Sequence, residues 1–600
     1  MKKILLLVSL LLLLVSMVNA IPTEMVLSNT EEGTSLHSVS VVITASRYIS
    51  VQPNSTILKK DDLVKFKDSM LPDVLESLPG IQIKRYGGKS GGASISMQGA
   101  ETKQTLVLLN GSPIHNPIYG SVDFNNINIS NIELIEAYRG GMSSVYGANA
   151  VGGVINIITK QPIDKTILKL GYGSFNDQTL SLEHSLSTDF FNYRLNYSAG
   201  KYDGFRPVSY FDNRNFASNI NLFLFDDLNL NLNFSNYFSR QGNPGSSSRY
   251  SSTSEQQNEG YTIQENIYAN LGDFGDSKLY LSQSSAKRTP ISGNISKSES
   301  WGNNYGYQHQ FTLGKHSVIV GGEVYSAIPK DDTLTKNITV ENKAFFINDE
   351  FQLTPFWKLN FGARSDQHSK FDQENTYKLS SSLALLNNSR IKTSYGTSFR
   401  APNISDLYYH DSYSQGNADL QPEKAQNFDL ELSSELGKDT NIRLSYFQKN
   451  IRNLIQWSRQ NSGEWIPENI GKVKLSGLEF EYNSKISSYL KYDFNVTLLT
   501  NAVDEESNKW LKYRPRYKAV LLLISKTNLG LLSSRVNYVS ERSSSTGGSM
   551  KMPAYWTVDL DYSWKWLSWY MHNIFNHNYE EYYQYPMPGR TMGVEVRYEF

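Results

Sequence analysis

The 600-residue sequence predicts a transmembrane β-barrel of about 22 antiparallel strands, preceded by a small mixed α/β domain. Three observations carry that prediction. The chain opens on an export-type segment, yet no later stretch is long and apolar enough for a membrane-spanning helix. From about Thr166 onward, apolar and polar residues alternate in successive short segments, several as long as a tilted strand needs to cross a bilayer. The chain also holds 38 Tyr, 27 Phe and 9 Trp, amphipathic rings suited to the two interfacial girdles of a barrel.

At the N-terminus, Lys2 and Lys3 precede an apolar run over residues 4–15, and Val18-Asn19-Ala20 supplies small residues at a cleavage position. Residues 1–20 therefore read as a signal peptide, too short to span hydrocarbon, with the mature chain starting at Ile21. An exported chain without spanning helices is a periplasmic, secreted or barrel protein. Cysteine is absent, which excludes disulfides and thiolate metal sites. Lys+Arg and Asp+Glu both number 58, so bulk charge gives no reason to expect a nucleic-acid partner.

Residues 47–160 read as the mixed α/β domain, after a flexible segment over 21–46. Asp68-Ser69 can cap a short helix through Leu75, stopped by Pro79-Gly80. Strands are expected at 81–84, 93–97, 105–109, 132–138 and 154–159, with Asn110-Gly111 as a tight hairpin turn.

Residues 161–600 read as the barrel. Leu228, Leu230, Leu232 and Phe234 alternate with asparagines, and Leu195 and Tyr197 with Arg194, Asn196 and Ser198. Leu478 and Phe480 alternate with Glu479 and Glu481; Leu490 to Leu498 keep one apolar face; Trp556 to Trp564 alternate with Thr557, Asp559 and Asp561. A secreted sandwich has the same period, but its strands run shorter, and this polar face is too charged for a packed core and suits a wet lumen. The final residues, Gly593 to Phe600, alternate to an aromatic end that can pair with the first strand and close the sheet. At about 20 residues per strand, the 435 residues from 166 onward fit the 22-stranded class, whose lumen is plugged. Gly/Ser-rich stretches at 242–259, 408–421 and 540–549 read as extracellular loops.

Four groups of residues carry a family resemblance. Asp73-Val74-Leu75-Glu76-Ser77-Leu78-Pro79-Gly80-Ile81, residues 106–111, Ile135-Glu136-Ala137-Tyr138-Arg139-Gly140 and residues 144–159 resemble the plug of TonB-dependent receptors. Ser40-Val41-Val42-Ile43-Thr44-Ala45-Ser46 resembles their TonB box. Ser398-Phe399-Arg400-Ala401-Pro402-Asn403-Ile404, residues 416–423 and Pro588-Gly589-Arg590-Thr591 match barrel motifs in the family's order, and terminal Phe600 resembles the signal read by the barrel-assembly machinery. The chain departs from the pattern at Asn110, where the family often has Asp, and at Gln98, where it often has Arg.

The resemblance implies a lumenal plug in an outer-membrane barrel of a Gram-negative-type bacterium. It also implies ligand uptake powered by the proton-motive force through TonB and its inner-membrane energising complex. Val41, Val42 and Ile43 suit strand addition to TonB, although the same residues would also serve as a first plug strand.

Within the family the chain is most similar to vitamin B12 transporters, at residues 362–366, 394–398 and 468–473. That likeness implies ligand contacts at the plug apices, Tyr86, Gly87, Gly88, Lys89 and Ser90, with His115, Asn116, Pro117, Ile118 and Tyr119. Such loops can hydrogen-bond an amide-bearing corrinoid while covering its apolar face, but they also serve as ordinary turns. Calcium is not expected: Asp203 and Asp212 stand near the relevant places, but Arg214 falls where a further carboxylate is wanted. A ferric siderophore stays open as cargo, as does haem, for which His410 between two barrel motifs would be the ligand.

No enzyme motif survives inspection. Gly88-Lys89-Ser90 lacks the glycine a phosphate loop needs at Ile83, and neither a zinc motif nor a nucleophile turn occurs in a plausible context. No cofactor is expected. A barrel serving only as adhesin or attachment point remains the rival of another class, and it would need no TonB box.

Overall fold

The computed structural model describes residues 50–600 apart from 64, 67–69, 294–295 and 387. The export segment, residues 40–46 and the Asp68-Ser69 pair lie outside the described residues.

Period-two sequence forces period-two structure. Twenty-two long strands form a closed barrel in which each runs antiparallel to the next. The last, Thr591–Glu599, pairs with the first, Lys165–Gly173, placing Val594 opposite Tyr172 and Glu599 opposite Ile167. Closure leaves no lipid-exposed edge of unpaired backbone groups.

The two faces are inverted relative to a soluble sheet. Leu195, Leu478 and Trp556 are exposed, while their neighbours Arg194, Glu479 and Thr557 are buried. The apolar face meets lipid and the polar face points inward. Where the N-terminal domain meets the wall, inner carboxylates such as Glu479 are buried and paired with its side chains.

Connections at one end are tight, such as 226–227 and 314–315, whereas the other end carries 243–254, 401–422, 540–554 and 573–590. Of the expected loops, 242–259 is shorter in the structure, because strand Glu255–Asn270 continues the ladder beyond the membrane. Its first residues, Glu255-Gln256-Gln257-Asn258-Glu259, are all polar, so no apolar alternation marks them. The 401–422 connection contains helix Ile404–Tyr408, and 540–554 contains the small hairpin Arg542–Ser543 with Lys551–Met552.

The N-terminal domain fills the lumen. Its mixed sheet runs Ser55–Lys59, Ile132–Arg139, Gly153–Thr159, Thr105–Leu109, Ser112–Pro113, parallel only between Thr105–Leu109 and Gly153–Thr159. A separate hairpin pairs Ile81–Arg85 with Ala93–Met97. The five expected strands form within a residue of their expected bounds, and Ser55–Lys59 is additional. The helix runs Leu71–Glu76, and the Asp73 carboxylate accepts from the Met70 amide at 2.7 Å to cap it. Asn110 and Gly111 both adopt left-handed backbone, at φ 49° and 83°, as the hairpin turn requires. Leu71, Leu75, Ile81, Ile135 and Ile157 form the domain's apolar core, which Leu522 and Ile524 of the barrel wall join.

The domain meets the wall mainly through polar side chains. Arg139, fully buried, donates to Glu479 at 3.0 Å and to Glu481 at 3.1 Å. Gln98 donates to Glu479 at 2.9 Å and accepts from Lys449, so the amide that replaces the family's usual arginine joins a lumenal cation to a lumenal anion.

Candidate ligand-binding site

The hairpin Ile81–Arg85/Ala93–Met97 lifts residues 86–92 towards the long-loop end, closed by a bond from the Tyr86 amide to the Gly92 carbonyl at 3.0 Å. Gly88 takes φ +67°, and a Cβ there would stand 2.9 Å from the Phe205 ring. The second apex, residues 115–121, is built around Asn116, whose Oδ1 accepts from the amides of Ile118 and Tyr119 at 2.9 and 3.0 Å.

Between these apices, the wall and the long loops lies a cavity of about 810 Å³. Tyr86, Ser90, His115, Asn116, Pro117 and Tyr119 line it from the plug side. Asn236, Gln241, Asn258 and Arg288 line it from the wall, and Lys512, Tyr513, Tyr582 and Tyr585 from loops. Amides and tyrosines recur among its lining residues, able to hydrogen-bond many oxygens and cover an apolar face. Its size lies within the range of small-molecule sites.

Not every expected position lines this cavity. Gly87 is not among the cavity's lining residues. Gly88 and Lys89 border a separate space of about 130 Å³, and Lys89 pairs with Asp177. Ile118 is buried among Ala327, Leu334, Ile404 and Leu407, anchoring the apex to a loop. His115 touches the cavity, but its Nε2 lies 3.1 Å from the Thr105 carbonyl, and burial pushes its imidazole down to about 4. Exposed His410 lies outside the cavity lining, its amide bonded to the Thr333 carbonyl at 2.6 Å. Asp203 and Asp212 flank Lys201: the first carboxylate is 3.9 Å from its ammonium, and the second residue is its cross-strand partner.

The Phe399-Arg400-Ala401-Pro402 motif has a structural explanation. Arg400 donates to Asp406 at 3.1 Å and to Glu423 at 2.8 Å, and Lys103 and Gln104 of the lumenal domain reach those same acids at 2.9 and 2.6 Å. The motif therefore fastens the 401–422 loop to the domain beneath it.

Residues 162–576 match the family described as TonB dependent receptor-like, beta-barrel, and residues 49–154 match the TonB-dependent Receptor Plug Domain. The chain belongs to the TonB-dependent receptors.

The receptor is an outer-membrane transporter of a Gram-negative bacterium, not an enzyme; it works with TonB and binds a small-molecule ligand. It is 24% identical over 565 residues to the vitamin B12 transporter BtuB of Photobacterium profundum, covering 87% of this chain and 88% of that protein. It is 26% identical over 611 residues to a vitamin B12 transporter BtuB of Vibrio vulnificus, covering 94% and 95%. Among solved structures, the siderophore receptor PirA of Acinetobacter baumannii superposes with TM-score 0.78 at 18% identity, over 92% of this chain and 98% of that one. A single-residue mutant of the ferric enterobactin receptor PfeA of Pseudomonas aeruginosa, in complex with enterobactin, gives 0.77 at 19%, over 91% and 99%. At those identities the structural likeness is one of fold.

Sequence reasoning missed Arg288, Lys512, Tyr513, Tyr582 and Tyr585. The one signal available was the run Tyr579-Glu580-Glu581-Tyr582-Tyr583-Gln584-Tyr585, too polar and aromatic-dense for a strand crossing lipid.

Proposed function

We propose that this receptor imports a corrinoid such as cobalamin. The observation that carries the reading is the amide- and tyrosine-lined cavity at the plug apex, suited to a large ligand edged with amides. The likeness to proteins named vitamin B12 transporters supports it. In this reading Tyr86, Ser90, Asn116, Pro117 and Tyr119 contact the cargo, while Gly87, Gly88, Lys89, His115 and Ile118 hold the apices in shape.

Residues 1–20 act as the export signal, 21–46 as the flexible segment bearing the TonB box at 40–46, 47–160 as plug and 161–600 as barrel. TonB captures the box by strand addition, and its energising complex supplies the work. The barrel-assembly machinery and the surrounding outer-membrane lipid are its other partners.

A ferric siderophore is the second reading. The unpaired cations Lys84 and Lys512 on the cavity favour an anionic cargo.

The test is equilibrium binding of cyanocobalamin, haem and a ferric catecholate to the detergent-purified receptor, with uptake by cells carrying a deletion of 40–46. Cyanocobalamin binding in both forms, with uptake lost only in the deletion, is the expected result. Uptake surviving the deletion overturns the energised mechanism, and absent cyanocobalamin binding overturns the corrinoid assignment.

A further inference from the structure

Alternation along Ile81–Arg85 and into Tyr86 sends Lys84 and Tyr86 to the cavity and Arg85 to the other side, where it binds Glu581 and Asp73. Lys84 is only 7% exposed, yet its ammonium has no carboxylate within ion-pair distance among the described residues. Its charged neighbour Glu101 is taken by Arg514 at 3.1 Å. The nearest compensation is the Tyr513 ring, 5.5 Å from the nitrogen.

A buried, unpaired ammonium is costly, and proteins seldom keep one without a use for it. Five cations line the cavity: Lys84, Lys103, Lys287, Arg288 and Lys512. Lys103 is paired with Asp406 and Lys287 with Glu259, while Arg288 donates to the Tyr119 hydroxyl at 2.9 Å. Only Lys84 and Lys512 are left with neither an acid nor a hydrogen bond for their ammonium among the described residues.

The surroundings suit an anion. Tyr86 packs on Tyr582 at 4.3 Å between ring centroids, and Tyr582 stacks on Tyr513 at 4.6 Å. The Tyr513 ring lies beside the buried Lys84 ammonium, and low-dielectric surroundings of this kind strengthen any charge contact made there. Burial first, then Arg514, Lys512 and Arg542, against the pull of Glu101, push Lys84 down to about 8; a bound anion would offset the repulsion from the three cations.

We propose that Lys84 and Lys512 form an oxyanion subsite of the cargo cavity, taking a phosphate, carboxylate or catecholate oxygen of the ligand under a lid of Tyr86, Tyr513 and Tyr582. The proposal rests on reading this cavity as the cargo site, but not on the cargo being a corrinoid. A phosphodiester on a corrinoid and the oxygens of a ferric catecholate share the chemistry recognised.

The test uses the full-length receptor in detergent and its Lys84→Met, Lys84→Arg and Lys512→Gln variants. Three probes are titrated: cyanocobalamin, which carries a phosphodiester; dicyanocobinamide, the same corrin without it; and ferric enterobactin, an anionic triscatecholate. Loss of one charge-assisted bond predicts about 10- to 100-fold weaker binding of the anionic probe by Lys84→Met, partial rescue by Lys84→Arg, and dicyanocobinamide unchanged within about threefold. In parallel, inorganic phosphate should slow amine-directed labelling of Lys84, read by mass spectrometry.

An anionic probe that binds Lys84→Met as tightly as wild type overturns the subsite, whichever cargo is bound. Lys84-dependent binding of ferric enterobactin, with no corrinoid bound by wild type, supports the subsite and sinks the corrinoid reading alone. If wild type binds none of the three probes, phosphate protection of Lys84 supports the subsite and its absence overturns it.

Discussion

Replacing Arg139 by Met removes the most deeply buried cation joining plug to barrel. Arg139 and Glu479 are both essentially inaccessible, so the variant strands a carboxylate away from water. Breaking a buried pair from one side costs about 3–5 kcal/mol. The lower end applies, because Gln98 still donates to Glu479 at 2.9 Å and Arg443 still donates to Glu481 at 3.0 Å. A loss of about 3 kcal/mol corresponds to roughly 150-fold faster opening of the surrounding backbone. Hydrogen exchange of strand Ile132–Arg139 in the detergent-solubilised receptor measures it. The double variant Arg139→Met/Glu479→Gln should recover most of the loss, because no orphan charge then remains. Exchange within about threefold of wild type in the single variant would refute the claim that this pair holds the plug.

Three further perturbations follow from the same geometry. Asn110→Ala loses the bond to the Thr159 amide at 2.9 Å and forces alanine into φ 49°, whereas Asn110→Gly loses only the bond; Ala should lower plug stability by about 1 kcal/mol more than Gly in thermal unfolding. His115, held near 4 against 6.5 when unfolded, binds its proton more readily in the unfolded chain, so its contribution is full above about 6.5 and is lost as pH falls towards 4; the loss approaches about 3 kcal/mol, and His115→Gln should flatten that slope in stability measured between pH 7 and 4. Ile118→Ala opens a cavity at a fully buried position and should cost about 2–4 kcal/mol, seen as faster exchange of residues 115–121 and 404–408 together while Ile132–Arg139 is unchanged.

The sequence made the barrel legible because lipid imposes a local rule: Leu478 faces out and Glu479 in whatever else the chain does. Turn chemistry is equally local, which is why Asn110-Gly111 marked its hairpin. Ser55–Lys59 escaped because nothing within it alternates; it becomes a strand only by lying against Ile132–Arg139, more than seventy residues away. The plug half of the cavity was visible as loop chemistry, but its other half comes from Lys512, Tyr513, Tyr582 and Tyr585, which reach Tyr86 only once the barrel closes. Burial at two further positions could not be read from sequence spacing. Ile118 and His115 both sit in an apical loop, yet Ile118 lies in an apolar cluster and the His115 ring is buried against the Thr105 carbonyl.

A plug that meets the wall of its lumen mainly through polar contacts has an interface that is cheap to open in water. The barrel supplies one as a by-product of its membrane: with the apolar face committed to lipid, the lumen must be polar. Contacts such as Arg139–Glu479, Asn110–Gln264 and the Gln241 bond to the Ser90 carbonyl exchange for water when broken, at about 0.5–1.5 kcal/mol each for neutral groups and more for the buried charges. Most of the buried residues in the plug's apolar core belong to the plug itself, so separation from most of the wall exposes little hydrophobic surface beyond the contact with Leu522 and Ile524. The exceptions are informative. Ala100 and Val151 pack on Phe447, Ile451 and Leu475, and Ile118 packs on Leu334 and Ile404. Ile118 lies in an apex bordering the cavity, so movement of the plug away from the wall has to break an apolar contact beside that cavity.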